Sequence, residues 1–213
     1  MLLATLNQKK KLGLTLLGSI ITKEDFLSFR NNFEVLMTKH GYQEDNRVLY
    51  FDKSVFVDLN LYRYKKCVFF YIVDSESKGY KNLRPTLAGV DEKNRIVTSI
   101  YLASAIPKKN EIIYQSALRE GQEFYSQRLK TVEHPYDPTK DKGVAHDKAT
   151  INEWVSTLKG NQVNVYFGID KKNYTGNGFQ TIMLLDSALL ENDELLEDKY
   201  AYDHGSQCCA TDS

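Results

Sequence analysis

Aromatic side chains lie next to lysine and arginine in three separate segments of the sequence. Rings can stack on bases while cations contact phosphates, and this combination allows a protein to bind single strands without reading their sequence. Stacking contributes roughly 1–3 kcal/mol per base, so two or three exposed rings would matter. We therefore predict a sequence-tolerant site for single-stranded DNA. Its candidate residues are Tyr62, Tyr64, Lys65, Lys66, Arg84, Tyr166, Lys171, Lys172 and Tyr174.

Three other residues suggest a magnesium-dependent nuclease. We expect Asp58 within a strand, and Glu76 and Lys78 at the end of the next strand. Two carboxylates can hold Mg²⁺ while a lysine stabilises the attacked phosphate. This arrangement resembles the D…E-x-K motif of the restriction-endonuclease-like nucleases, which implies a catalytic role for all three residues. Rigid metal ligation is harder to arrange in the serine-rich turn around Glu76, so the nuclease is an alternative.

The remaining reactive side chains predict no further active site. The four histidines lie at a helix end, in a long loop and in the C-terminal segment, without a nucleophile beside them. His204, Cys208 and Cys209 offer three soft ligands, whereas structural zinc usually takes four. No glycine-rich phosphate loop with its lysine is present. We therefore expect no catalytic activity, no metal and no cofactor.

The composition is typical of a globular protein. The chain has 213 residues, of which 42% are hydrophobic and 26% are charged. No apolar run approaches the roughly 20 residues that cross a bilayer, and three cysteines form no disulfide framework. These features predict a cytoplasmic protein without a membrane contact. The 28 basic residues balance 28 acidic ones, but residues 191–213 are rich in acids, so the rest is mildly basic.

The first half of the sequence predicts a strand, a helix and a series of short strands. Leu12–Ile21 is apolar and ends in β-branched residues, as strands often do. Thr22 and Asp25 form a capping box that begins a helix, and Gly41 ends it. Segments rich in Val, Ile, Tyr and Phe then predict an antiparallel meander. These segments are Val48–Asp52, Val55–Tyr64, Cys67–Asp74, Leu83–Val90 and Ile96–Ser104.

The second half predicts two helices and a final hairpin. Apolar residues at helical spacing indicate a long helix within Glu111–Val132, and prolines and charges indicate an exposed loop at 134–149. Thr150 and Glu153 form a capping box ahead of a short helix. Alternating apolar residues predict the two strands of a hairpin within Gln162–Leu185.

The order of strands and helices is compatible with an OB-fold, in which a helix lies between the third and fourth strands. Residues 100–195 resemble the small single-stranded-DNA-binding proteins of tailed phages. The resemblance is carried by Ile106–Lys109, Gly160–Val165, Lys171–Tyr174, Gly176–Gly178, Leu184–Leu185 and Leu189. It implies an OB-like barrel and a role in phage replication or recombination.

We therefore predict an α+β protein whose twisted antiparallel sheet forms an OB-like barrel. One domain should cover residues 1–190, with an N-terminal strand–helix extension at 1–45 and the core at 46–190. An acidic C-terminal tail should follow at 191–213. A different class remains open, because neutral net charge and the lack of a catalytic set also suit an assembly subunit. A phage virion connector or tail ring protein, which binds its own copies or other subunits, is an example.

Overall fold

The computed structural model describes nine segments of the chain. They are residues 19–42, 48–75, 81–107, 109–131, 142–171, 179–191, 194–195, 201–203 and 206–208. The helices in these segments are α1 (Lys23–Lys39), α2 (Lys53–Asn60), α3 (Gln115–Thr131) and α4 (Lys148–Thr157). The strands are β1 (Ser19–Ile21), β2 (Leu49–Asp52), β3 (Lys66–Ser75), β4 (Lys81–Val90), β5 (Ile100–Leu102), β6 (Glu111–Ile113), β7 (Gly143–Asp147), β8 (Gln162–Asp170), β9 (Phe179–Asp186), β10 (Leu190–Glu191), β11 (Glu194–Leu195), β12 (Ala201–Asp203) and β13 (Ser206–Cys208).

Two antiparallel sheets contain most of the strands. Sheet I has the order β1-β12-β9-β8-β2, and sheet II has the order β13-β7-β3-β4-β5-β6. β10 and β11 form a separate short hairpin. The prediction of an α and β protein with antiparallel sheets is confirmed. No helix in the described segments combines the length and the apolar character that crossing a bilayer requires.

Aromatic residues join the two sheets in the largest apolar cluster. The ring centroids of Phe51 in β2 and Phe69 in β3 are 6.0 Å apart, and those of Tyr71 in β3 and Phe167 in β8 are 6.2 Å apart. Phe51 pairs with Val163 near the start of β8. The contacts therefore follow β3 and β8 in the same direction, so these strands begin at the same end of the molecule.

Both faces of β3 are buried, which explains why a layered fold replaces the expected barrel. Phe69 and Tyr71 lie in the cluster between the sheets, whereas Phe70 and Ile72 pack in a second cluster with Leu118 of α3. Side chains of a strand alternate between its faces, so β3 needs an apolar layer on each side. A small barrel offers only one apolar interior. In the described segments the strands form two sheets that do not close into a barrel.

α1 packs on β8, and Tyr42, shortly after the end of α1, contacts α3. The rings of Phe26 and Tyr166 meet edge to face with centroids 5.0 Å apart. The Arg128 guanidinium of α3 lies 4.3 Å from the centroid of the Tyr42 ring. Thr22 begins α1 as predicted, since its hydroxyl accepts a hydrogen bond of 3.1 Å from the Asp25 N–H.

The segment Val55–Tyr64 was expected to be a strand, but its first part belongs to α2. The Asp52 carboxylate accepts a hydrogen bond of 2.8 Å from the Ser54 N–H and thus begins the helix. Val55, Phe56 and Leu59 are buried on one side of it. The same apolar residues fit a strand or a helix in sequence, and the cap decides in favour of the helix.

Two further boundaries differ from the sequence prediction. The expected loop at 134–149 contains β7, which is buried beside β3, and α4 begins at Lys148. Thr150 therefore lies inside α4 and does not begin it. The expected helix at 111–132 begins with the strand β6 and becomes helical only at Gln115.

The first and the last of the described segments also enter the sheets. β12 and β13, which the sequence placed in an acidic tail, pair with strands of sheet I and sheet II respectively. The register of β12 places Asp203 opposite Ser19 of β1. Residues 12–18 of the predicted first strand lie outside the described residues.

The amide of Asn110 joins the two sheets. Its Oδ1 accepts a hydrogen bond of 2.7 Å from the Asp52 N–H of β2. Its Nδ2 donates bonds of 2.9 Å to the carbonyls of Tyr50 in β2 and Leu102 in β5. Beside it, the backbone of Tyr50 bonds with that of Ser104 in both directions. This buried amide therefore fixes where β5 and β6 lie relative to sheet I.

Candidate functional site

Two of the predicted stacking rings are buried. Only 5% of Tyr64 and 3% of Tyr166 is exposed. The Lys148 ammonium lies 4.2 Å from the centroid of the Tyr64 ring, and the Tyr64 hydroxyl donates a hydrogen bond of 3.3 Å to Asn60. Burial, with a smaller effect of Cys67, raises the pKa of Tyr64. Base stacking requires an open ring face, which neither tyrosine offers in this structure.

Arg84 is also used inside the fold. Its side chain is buried, and its Nε donates a hydrogen bond of 2.9 Å to the Ala103 carbonyl. One Nη donates to the same oxygen. The guanidinium thus connects β4 with the segment after β5, where a phosphate could not reach it without displacing these bonds.

The other predicted residues in the described segments lie at two ends of the molecule. Tyr62 and Lys65 are exposed in the turn after α2, and Lys66 begins β3. The exposed Lys171 follows β8. Because β3 and β8 begin at the same end, Lys171 is far from the turn. Lys172 and Tyr174 lie outside the described residues, so the structure does not bring the nine residues together on one face.

The residues of the nuclease alternative are only partly described. Asp58 lies on α2 and not in a strand. Glu76 and Lys78 lie outside the described residues. Within the described segments, no group of three or more His, Cys, Asp or Glu side chains is close enough to hold a metal ion.

Five exposed apolar side chains lie on elements next to Tyr101 of β5, namely α2 with its following turn, the segment before β5 and the strand β6, and we call this set the Tyr101 face. Leu61 is the most open member, with 81% of its surface exposed, and 61% of Ile112 is exposed. The members of the Tyr101 face are Val57, Leu61, Tyr62, Val97 and Ile112. Isolated exposed apolar residues are common, but a contiguous group often marks a protein contact.

Tyr101 is next to both the strand β6 and the helix α2. It pairs with Ile112 across β5 and β6, so the two side chains lie on the same face of sheet II. On its other side, the Asp58 carboxylate of α2 lies beside the Tyr101 hydroxyl, with Tyr62 also nearby. Burial, followed by the Asp58 charge, raises the pKa of Tyr101. Asp58 of α2 and Ile112 of β6 therefore lie on two sides of Tyr101.

Gly89 allows the Val97 segment to approach the same region. A Cβ atom at Gly89 would lie 2.7 Å from the Thr98 methyl group and 2.7 Å from the Tyr64 ring. The Gly89 backbone also accepts a bond of 3.0 Å from the Val97 N–H. The missing side chain thus lets residues 97–98 pack against the turn that carries Tyr62.

A small cavity lies on the α3 side of sheet II. It measures about 80 Å³ and is lined mainly by apolar side chains, with Glu120 as the charged exception. Sites for small molecules usually measure about 300–1,000 Å³, so this cavity is too small for a nucleotide.

Sequence analysis missed the Tyr101 face because its members come from three distant segments. The one local signal is the spacing of Val57 and Leu61, four residues apart, on the side of α2 opposite its buried residues. That signal has meaning only if the segment is recognised as a helix.

Comparison of the chain with protein-family models, curated proteins and solved structures finds no match.

Proposed function

We propose that the protein is a structural subunit of an assembly and associates with further copies of itself. The observation that supports this proposal is the Tyr101 face. Large apolar side chains such as Leu61 and Ile112 lie in water there, although they are next to a well-packed core. Burial of apolar surface contributes roughly 25 cal/mol for each Å² that is removed from water, so burying these side chains would favour association.

The charge of the chain is compatible with this role. The 28 basic residues equal the 28 acidic ones, so identical copies do not repel each other through net charge. Tyr62 adds an aromatic side chain, the type that contributes most at interface centres. A phage virion connector or tail ring is one form of this proposal, and its phage context depends on the resemblance alone.

Light scattering coupled to size exclusion tests the proposal from low micromolar to roughly 200 µM protein. We expect the mass of the native chain to rise with concentration. Leu61→Glu should shift the midpoint to at least roughly tenfold higher concentration, because a charge would be buried at the contact. Leu27→Glu is the matched control, since Leu27 is a half-exposed leucine on α1, outside the Tyr101 face. A monomer at every concentration would refute the proposal.

Single-stranded DNA binding is a second candidate, supported by the turn after α2. This turn exposes Tyr62, Arg63 and Lys65 in sequence. The ammonium of Lys65 also lies 3.1 Å from Glu92, but both side chains are largely exposed, so this pair is weak. An OB-like identity of the antiparallel sheets is part of this second proposal.

Fluorescence anisotropy with labelled oligo-dT tests the second candidate at about 50 mM and about 200 mM salt. Binding should weaken as salt rises, and Arg63→Ala with Lys65→Ala should weaken it further. Lys93→Ala, which removes an exposed lysine from another turn, is the control. If the Arg63→Ala, Lys65→Ala variant and the Lys93→Ala control bind oligo-dT with equal affinity, the turn after α2 is not the binding site. Cleavage of the oligonucleotide with Mg²⁺ would support the nuclease alternative instead.

A further inference from the structure

We infer that two copies of this chain meet edge to edge at β6 and form one continuous sheet across a two-fold axis. This inference rests on the proposed function and specifies how the second copy binds beside the Tyr101 face. β6 is the last strand of sheet II, with β5 as its single neighbouring strand in the described segments. Backbone groups along such an edge can bond to an added strand.

Both ends of β6 are fixed, which limits the register of the pair. After the strand, the Tyr114 carbonyl accepts a bond of 3.1 Å from the Leu118 N–H, and α3 has begun at Gln115. Before the strand, the Asn110 side chain is held by its three hydrogen bonds. Only Glu111–Ile113 can therefore pair with a strand of another copy.

The symmetric register with full overlap is centred on Ile112. It places the two Ile112 side chains opposite each other and each Glu111 opposite Ile113 of the other copy. A register centred on Glu111 would place two carboxylates opposite each other, which is destabilising. A register centred on Ile113 would require Gln115 as a strand residue, although it belongs to α3.

Apolar contacts must supply most of the stability, because a strand of three residues forms few hydrogen bonds. In the register centred on Ile112, the Ile112 side chain of one copy contacts the Ile112 side chain of the other copy. A two-fold axis brings the same surface of each chain together. Tyr114, which is 84% exposed, lies directly after β6 and would extend the contact. The zero net charge removes electrostatic repulsion between the copies. A second copy is thus compatible with this edge in register and net charge.

Disulfide trapping tests the register. Ile112→Cys is made with Cys208→Ser and Cys209→Ser, while the buried Cys67 is kept. Opposite residues of an antiparallel pair have Cα atoms roughly 4.5–5.5 Å apart, which suits a disulfide. Val35→Cys is the matched control, because Val35 and Ile112 are both 61% exposed and Val35 lies on α1. We expect covalent dimers at position 112 to form at least roughly tenfold faster than at position 35.

The outcomes separate the inference from the proposed function. If the native chain associates but position 112 cross-links no faster than position 35, the β6 pairing is wrong and association uses another surface. If light scattering shows only a monomer, the proposed function fails and the inference fails with it. Faster cross-linking at position 112, with concentration-dependent protection of the Ile112 amide from hydrogen exchange, would support both.

Discussion

Asn110→Ala is expected to destabilise the protein because it removes all three bonds of the Asn110 amide. The Asp52 N–H loses a buried acceptor, which costs about 1–3 kcal/mol. The Tyr50 carbonyl still accepts a bond from the Ser104 N–H, so its loss is limited to about 0.5–1.5 kcal/mol. With a similar loss at Leu102, the free energy of unfolding should fall by about 2–6 kcal/mol.

Urea unfolding followed by tryptophan fluorescence measures this change. Trp154 is the only tryptophan in the sequence, and it is buried beside Phe56 of α2. Asn31→Ala is the control, because Asn31 is exposed on α1 and its replacement should change stability by less than about 0.5 kcal/mol. If Asn110→Ala changes stability no more than this control, Asn110 does not hold the sheets together. Asn110→Asp retains an acceptor for Asp52 but directs a charge at two carbonyls, so it should not restore stability.

Two further predictions follow from buried groups. Burial raises the pKa of Tyr64 in the folded protein, so unfolded chains ionise first and stability should fall as pH rises above about 10. Tyr64→Phe should make this fall shallower in urea unfolding at about pH 9 and about pH 11, and an equal slope would contradict the assignment. Burial likewise raises the pKa of the Cys67 thiol, which is fully buried, so iodoacetamide should not alkylate it in the native protein at about pH 8. Site-resolved mass spectrometry checks this, and modification of Cys67 as fast as in urea would contradict the buried position.

The sequence predicted those elements whose pattern is local. Cys67–Asp74 and Leu83–Val90 are dense in strand-forming residues and correspond to β3 and β4. Thr22 and Asp25 identified the start of α1 because a cap involves neighbours three residues apart.

Elements that depend on distant packing were not predictable. Phe56 in α2 packs against Trp154 of α4, almost one hundred positions later in the chain. The polar residues His146 and Asp147 favoured the prediction of a loop at β7. In the structure, β7 pairs with β3 and is largely buried. A single sequence contains no signal for either contact.

The sequence also could not predict which of the candidate site residues are exposed. Tyrosine suits both a buried strand and an open stacking platform, so residue type could not distinguish Tyr62 from Tyr64. The distinction comes from Lys148, which lies over the Tyr64 ring and donates a bond of 3.0 Å to the Tyr62 carbonyl. The Tyr101 face depends on the same kind of long-range contact.

The position of β12 between β1 and β9 has a consequence for the order of folding during synthesis. β1 is synthesised before the other strands of sheet I, yet in the described segments its neighbour in sheet I is β12. β12, whose Asp203 pairs with Ser19, leaves the ribosome after all four of the other strands of sheet I. Chains emerge at roughly 5–20 residues per second, so β1 must wait for seconds before it can join its sheet. A nascent chain stalled before residue 201 would therefore hold an incomplete sheet I, whatever else has folded.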